Sequence, residues 1–182
     1  MEAKGTMLLD YVRIIRANKD KDWDKWLEPQ DWEIINERIL PSRWYPYESF
    51  QRIGLAVFKE IAGSNLDTVR GFGRFTAKGM GQVYKNLRVE GDPAASAEKF
   101  AKIRETFLKD VDGGTQVTDR GPTWLKFKLT LPSGVKDHET GDAFGYQIAG
   151  ILEEIVELAG GKNVSLSIEK TEDGYEYDVK WE

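Results

Sequence analysis

The spacing of apolar residues changes once along this chain, close to Gln116, and that change limits the fold more than any other feature. Before it, apolar residues recur every three or four positions, which is typical of amphipathic helices. After it, Leu125, Phe127, Leu129 and Leu131 alternate with polar residues, as in a half-buried strand. A chain that is helical first and alternating later is expected to form an α+β fold.

Proline and capping residues divide the first part of the chain into helices. Thr6 is suited to cap a first helix, Pro29 to open a second, and Pro46 to lie in the first turn of a third. A longer helix is predicted from Leu66 to Leu87, although it contains several glycines, and another begins at Pro93. These helices are expected to form an N-terminal bundle.

The remainder of the chain is expected to supply a small, mostly antiparallel sheet on which this bundle packs. The strand that ends near Pro132 is followed by one long helix, from Thr140 to Gly160, and by a C-terminal β-hairpin that turns at Asp173-Gly174. At 182 residues the chain has the length of a single domain, with residues 1–111 as its mainly helical part and residues 112–182 as its strand–helix–hairpin part.

Composition excludes several classes of protein. The chain has no cysteine, so disulfides, iron–sulfur clusters and thiolate zinc sites are not expected. Its net charge of −5 and its lack of a Lys/Arg-rich run argue against a nucleic-acid partner. No segment has the length and apolarity of a membrane span, and the N-terminus does not resemble a signal peptide, so the cytoplasm is expected.

No set of residues has the spacing of a catalytic or metal site. His138 is the only imidazole, and we expect it to be exposed at a helix entrance. Glu153, Glu154 and Glu157 share one helix side and could bind a cation, but a solvated helix face is the preferred interpretation. We therefore predict no catalytic residues, no metal and no enzymatic activity.

Two segments resemble known families. The run from Gly145 to Glu153, the glycine break at Gly160-Gly161 and the closing hairpin are similar to the superfamily that unites haem-NO-binding sensor domains and vinyl-4-reductase-type ligand-binding domains. The Ile39–Tyr47 segment, with its Trp-Tyr-Pro sequence, and the closing Trp181 are similar to a paralogous family of myxobacterial type, a likeness that spans most of the chain. The resemblance implies a ligand-binding sensor.

The chain departs from these families where their cofactors bind. Haem-NO-binding domains carry a Tyr-x-Ser-x-Arg motif on the strand before the last helix, and here residues 129–134 lack it. The haem-ligating histidine of those domains precedes that strand, whereas His138 follows it. Vinyl-4-reductase-type domains place cysteines in the final hairpin, and this hairpin has none. We therefore expect no cofactor.

Aromatic residues supply the candidate binding site. Related folds hold ligands between helices and sheet, and large aromatics favour such sites, although they also fill cores. The predicted site is an apolar cavity lined by Trp44, Tyr47, Phe50, Phe72, Phe75 and Tyr146. The small residues Gly73, Gly79 and Gly145 would make room for it.

Together these observations predict a non-enzymatic sensory or regulatory binding module that recognises an apolar small molecule or a protein partner. A homodimer is plausible, because an aromatic-rich helical face needs to be covered. The alternative is a protein-interaction or scaffold subunit without a ligand pocket, which should expose a large apolar patch instead of enclosing a cavity. A carboxylate-only enzyme is a weaker third interpretation.

Overall fold

The chain forms two compact units in the computed structural model, which describes residues 1–104, 106–135 and 138–182 and all their side chains except that of Val83. The first unit contains residues 1–65 and 106–111, and the second contains residues 66–105 and 112–182. The chain therefore returns to the first unit for one short segment after it has begun the second.

The first unit combines three helices with three very short strands. Its elements are β1 (Glu2–Lys4), α1 (Gly5–Ala17), α2 (Pro29–Asn36), β2 (Trp44–Pro46), α3 (Tyr47–Glu60) and β3 (Leu108–Lys109). The antiparallel sheet has the order β2-β1-β3, so the returning segment pairs with the N-terminal strand. Helices α1 and α3 pack together through buried apolar residues that include Leu8, Val12, Ile53 and Val57.

A buried ion pair joins two helices of the first unit. Asp31, in the first turn of α2, has no exposed surface. Its carboxylate accepts hydrogen bonds from Arg52 Nε at 2.7 Å, from Arg52 Nη2 at 2.9 Å and from the Glu28 backbone N–H at 2.9 Å. Burial raises the pKa of Asp31, but the hydrogen bonds from Arg52, Glu28 and Ser49 outweigh burial and hold the pKa below its usual value.

The second unit is a four-stranded antiparallel sheet with helices. Its elements are α4 (Leu66–Val83), α5 (Pro93–Arg104), β4 (Gly114–Gly121), β5 (Trp124–Thr130), α6 (His138–Leu158), β6 (Ser165–Lys170) and β7 (Gly174–Lys180). The strand order is β4-β5-β7-β6. Helix α5 packs on β4, α6 packs on β6 and β7, and α4 packs along α6. The core between helices and sheet includes Phe100, Phe127, Leu152, Tyr177 and Val179.

The predicted α+β class is confirmed, with its antiparallel sheet, its long helix between strands and its closing hairpin. The N-cap assigned to Thr6 is wrong: Lys4 precedes the helix, and the Thr6 hydroxyl donates to Pro41 O at 3.0 Å. The sheet of the first unit was not predicted, because its strands of two or three residues are too short to show alternation. Among the described helices, none has the length and apolarity needed to cross a bilayer.

Replacing Asp31 with alanine should lower the free energy of unfolding by about 3 kcal/mol, because the buried end of α2 loses its partner in Arg52. Since folding lowers the pKa of Asp31, its contribution is complete above the unfolded-state pKa of about 4 and is lost as pH falls through the native value. Urea unfolding of both proteins between neutral and acidic pH measures this difference.

The matched control is Asp10→Ala, which removes an exposed carboxylate 3.3 Å from Arg13 in the same unit. That change should alter the stability by no more than about 0.5 kcal/mol. Equal effects of the two substitutions, or a difference that grows at acidic pH, would contradict the role given to Asp31.

Candidate functional site

Helices α4 and α6 touch through their backbones, and glycine permits the contact at two positions. A methyl group at Gly73 would overlap the carbonyl oxygen of Gln147, and one at Gly150 would overlap that of Arg70. Each helix therefore contributes one glycine and one facing carbonyl. The interior of this crossing has no space for a ligand, because main-chain atoms already fill it.

Three basic residues of α4 meet three glutamates of α6 beside this contact. Arg70 donates to both carboxylate oxygens of Glu153, Arg74 lies 3.2 Å from Glu154 and donates to Glu157, and Lys78 lies 3.7 Å from Glu154. The three cations lie on successive turns of α4, and Glu154 pairs with two of them, Arg74 and Lys78.

The expectation that these glutamates form a solvated face is wrong for two of them. Glu153 and Glu154 are buried, with Glu154 only 3% exposed, and Glu157 alone is exposed. Burial of two adjacent carboxylates is made possible by the arginines of the neighbouring helix. The same pairing leaves these carboxylates bound to protein cations.

A second polar cluster fixes the start of α6 to the hairpin. Asp142 accepts hydrogen bonds from Lys170 of β6 and from the Tyr175 hydroxyl of β7. Burial raises the pKa of Asp142, but these two hydrogen bonds outweigh burial and lower the pKa overall. Burial, followed by the bond to Asp142, raises the pKa of Tyr175, so its hydroxyl stays protonated and donating. The cluster positions helix and strands through Asp142 Oδ1, which accepts both hydrogen bonds.

His138 is exposed at the first residue of α6, as expected from the sequence. Within residues 1–104, 106–135 and 138–182, no three side chains of the types His, Cys, Asp and Glu lie close enough to hold a metal ion. The buried polar groups of the second unit described above are thus the α4–α6 pairs and the Asp142 cluster.

Of the six predicted cavity residues, three lie in the first unit. Tyr47 and Phe50 are buried there, with ring centroids 5.9 Å apart, and Phe50 also contacts Tyr11 at 6.1 Å. Trp44 is half-buried on β2, with Lys4 Nζ 5.5 Å from the centroid of its ring. Tyr47 and Phe50 are thus brought together in the core of this unit.

The other three cavity residues lie on the paired helices of the second unit. Phe72 of α4 and Tyr146 of α6 are half-buried, and each is adjacent in sequence to a residue of the backbone contact. Phe75 points away from that contact and is 69% exposed. A single apolar cavity formed by all six residues stays a prediction.

The glycines expected to make room for a ligand have other neighbours. Gly73 admits the backbone of α6, and Gly145 admits the ring of Tyr175, whose nearest atom would lie 2.7 Å from an added methyl carbon. No atom lies within 4 Å of such a carbon at Gly79. Only the last of these positions leaves open space next to the helix.

An open cleft of about 380 Å³ was not predicted from the sequence. Its lining combines residues 91–94, before and within the first turn of α5, with residues 120–122, at the end of β4 and the start of the β4–β5 turn. Asp92 accepts a hydrogen bond from the Ala95 backbone N–H at 2.9 Å, and Arg120 lies 3.4 Å from Glu98. The cleft is formed by a glycine-proline turn, and the spacing of apolar residues in the sequence does not indicate the shape of such a turn.

Gly150→Ala should lower the free energy of unfolding by about 2 kcal/mol, because the added methyl group forces α4 away from α6. This loss is expected even though alanine favours a helix by about 1 kcal/mol over glycine. Gly79→Ala on α4 is the matched control, since its methyl meets no atom, and it should raise stability by up to about 1 kcal/mol. Thermal unfolding of both variants measures whether each substitution lowers or raises the stability. A neutral or stabilising Gly150→Ala would refute the close contact.

Comparison with known proteins relates this fold to H-NOX domains. No protein-family model matches the sequence, and no curated protein matches it either. The Fe(II) unliganded H-NOX protein from K. algicida aligns with 98% of this chain and 96% of its own, with a TM-score of 0.68 and 14% identity. An H-NOX structure from work on haem distortion gives 0.65 at 11% identity, covering 98% of this chain and 95% of its own. A single-substitution mutant of T. tengcongensis H-NOX gives 0.64 at 13% identity, with 98% and 97% coverage. The chain therefore has the fold of H-NOX, the haem-NO-binding domains, along nearly its whole length.

Proposed function

We propose that this protein is a non-enzymatic sensory or regulatory binding module that recognises an apolar small molecule or a protein partner. The observation that carries the proposal is the H-NOX fold, which extends over 98% of the chain rather than over one motif. Because fold alone does not determine function, the proposal also depends on the side chains that remain available for binding.

Aromatic side chains with accessible surface are the groups best suited to bind a ligand. Phe72, Phe75 and Tyr146 lie on α4 and α6 and keep part of their surface exposed. In contrast, the acidic groups beside them are occupied by Arg70, Arg74 and Lys170. An apolar or aromatic ligand can gain burial against the rings without having to break these ion pairs.

The described residues do not fit haem, the group named for the similar H-NOX structures. An axial imidazole must face the haem iron inside a cavity, but His138 is exposed at the start of α6. Arg70 and Arg74, which could pair with haem propionates, are already bound to glutamates of α6. We propose that the fold operates here without haem.

Addition of haemin to the purified protein should therefore produce no saturable shift of the Soret band. A stoichiometric shift that is lost in His138→Ala would show that this imidazole binds the iron, and would overturn the proposal of a haem-free module. Absorption titration of the two proteins in parallel distinguishes specific ligation from haemin adsorption, because adsorption persists in the variant.

The apolar site is tested with anilinonaphthalene sulfonate, a dye that fluoresces when it binds apolar surface. The native protein should bind it saturably, and Phe75→Ser should weaken binding roughly tenfold, since removing a contacting phenylalanine costs about 1.5 kcal/mol. Leu40→Ser is the matched control, because Leu40 is also an exposed apolar residue, 44% accessible, and lies outside the predicted site. Its affinity should match that of the native protein.

Two results would count against the small-molecule site. Unsaturable dye binding, or equal losses in the Phe75 and Leu40 variants, would leave general surface adsorption as the explanation. Native mass spectrometry of protein from its own host supplies an independent readout, in which a bound ligand appears as added mass that disappears on denaturation.

The alternative function is a protein-interaction or scaffold subunit. The exposure of Phe75 favours it, because a large aromatic side chain that is 69% accessible on a helix can insert into a partner. Under this alternative, Phe75→Ser abolishes capture of a protein partner and the mass spectrum shows no small ligand.

A further inference from the structure

The two edges of the sheet in the second unit differ in their capacity to pair with another strand. At one edge, β4 has a register shift between Val117 and Asp119, and α5 packs against it, with Thr115 Oγ1 donating to Ala101 O at 3.4 Å. At the other edge, β6 pairs with β7 in unbroken register from Ser165 to Lys170. Bulges and helical cover blunt an edge, and β6 has no bulge.

The outer side of β6 carries the backbone groups of alternate residues, Leu166, Ile168 and Lys170, without a partner strand. It is the last strand of its sheet, and the described residues supply no other strand and no backbone hydrogen bond to that side. Arg70 of α4 approaches it, with Nη2 3.5 Å from Leu166 O. The side chain of Arg70 therefore reaches the open edge from α4 and donates to one outward carbonyl, which keeps a second lone pair for an added strand.

We propose that a second copy of this chain pairs with β6, antiparallel about a twofold axis at Ser167, and forms a continuous eight-stranded sheet. In such symmetric pairing, a residue that lies a given number of positions before Ser167 faces the residue that lies the same number of positions after Ser167 in the second copy. Ser167 then faces Ser167 of the second copy, and Leu166 faces Ile168 of the second copy on the side that carries the helices.

Charge complementarity favours a second copy over an unrelated strand. Antiparallel pairing brings the exposed Lys162, just before β6, towards the exposed Glu172, just after β6 of the second copy, and symmetry repeats this pair at the other end. A twofold axis at Leu166 would instead bring Lys162 towards Lys170. An axis at Ile168 would place Leu166 opposite Lys170. The axis at Ser167 pairs Leu166 with Ile168 and Lys162 with Glu172, and its one mismatch is Val164 opposite Lys170.

The absence of cysteine from the chain permits a direct test. Ser167→Cys places two thiols across the axis, where facing Cα atoms of antiparallel strands lie about 4.5–5.5 Å apart, within the range of a disulfide. Mild oxidation should convert this variant to a covalent dimer of twice 20.7 kDa. Ser165→Cys is the matched control on the same strand and face, and it should remain monomeric on denaturing gels because it faces Glu169 of the second copy.

Light scattering of the cysteine-free protein tests the same pairing without cross-linking. The native protein should have twice the chain mass, Lys162→Glu should shift it towards the monomer, and Lys162→Glu combined with Glu172→Lys should restore the dimer. A monomer throughout the micromolar range, equal cross-linking at positions 165 and 167, or no rescue by the charge exchange would each overturn the proposal. This test is independent of the proposed ligand site. A monomer that binds the dye would contradict the dimer alone, and a dimer that does not bind the dye would contradict the ligand site alone.

Discussion

The direct backbone contact between α4 and α6 is the constraint on which the second unit depends. Two glycines, Gly73 and Gly150, each face a carbonyl of the other helix, so the axes approach more closely than any larger residue would allow. Helix α6 then lies over β6 and β7, while the Arg70 side chain of α4 reaches the open edge of β6.

Close helix packing also explains the buried charge. Once the backbones touch, the long side chains of Arg70 and Arg74 cross to the neighbouring helix, where Glu153 and Glu154 lie within reach. A buried ion pair adds little net stability after desolvation, but an unpaired buried carboxylate is strongly unfavourable. The pairs therefore act mainly on alignment, because a shift of one helix along the other would separate the buried carboxylates from their arginines.

The sequence predicted the elements with clear periodicity and missed those set by tertiary contact. The closing hairpin and the long helix α6 were predicted because their apolar spacing extends over several turns or residues. The short strands β1, β2 and β3 have too few residues to show any period. The burial of Glu153 and Glu154 depends on arginines about 80 positions away, which no local pattern reveals.

The glycine contact has a mechanical consequence for any signal that this unit transmits. A one-turn slide of α4 along α6 would bring Val69 or Ala77 to the position of Gly73, where a side-chain carbon cannot fit against Gln147 O. Ratcheting of one helix past the other, a common form of conformational switching, is therefore blocked. Conformational change in this unit therefore has to move α4 and α6 together as one pair.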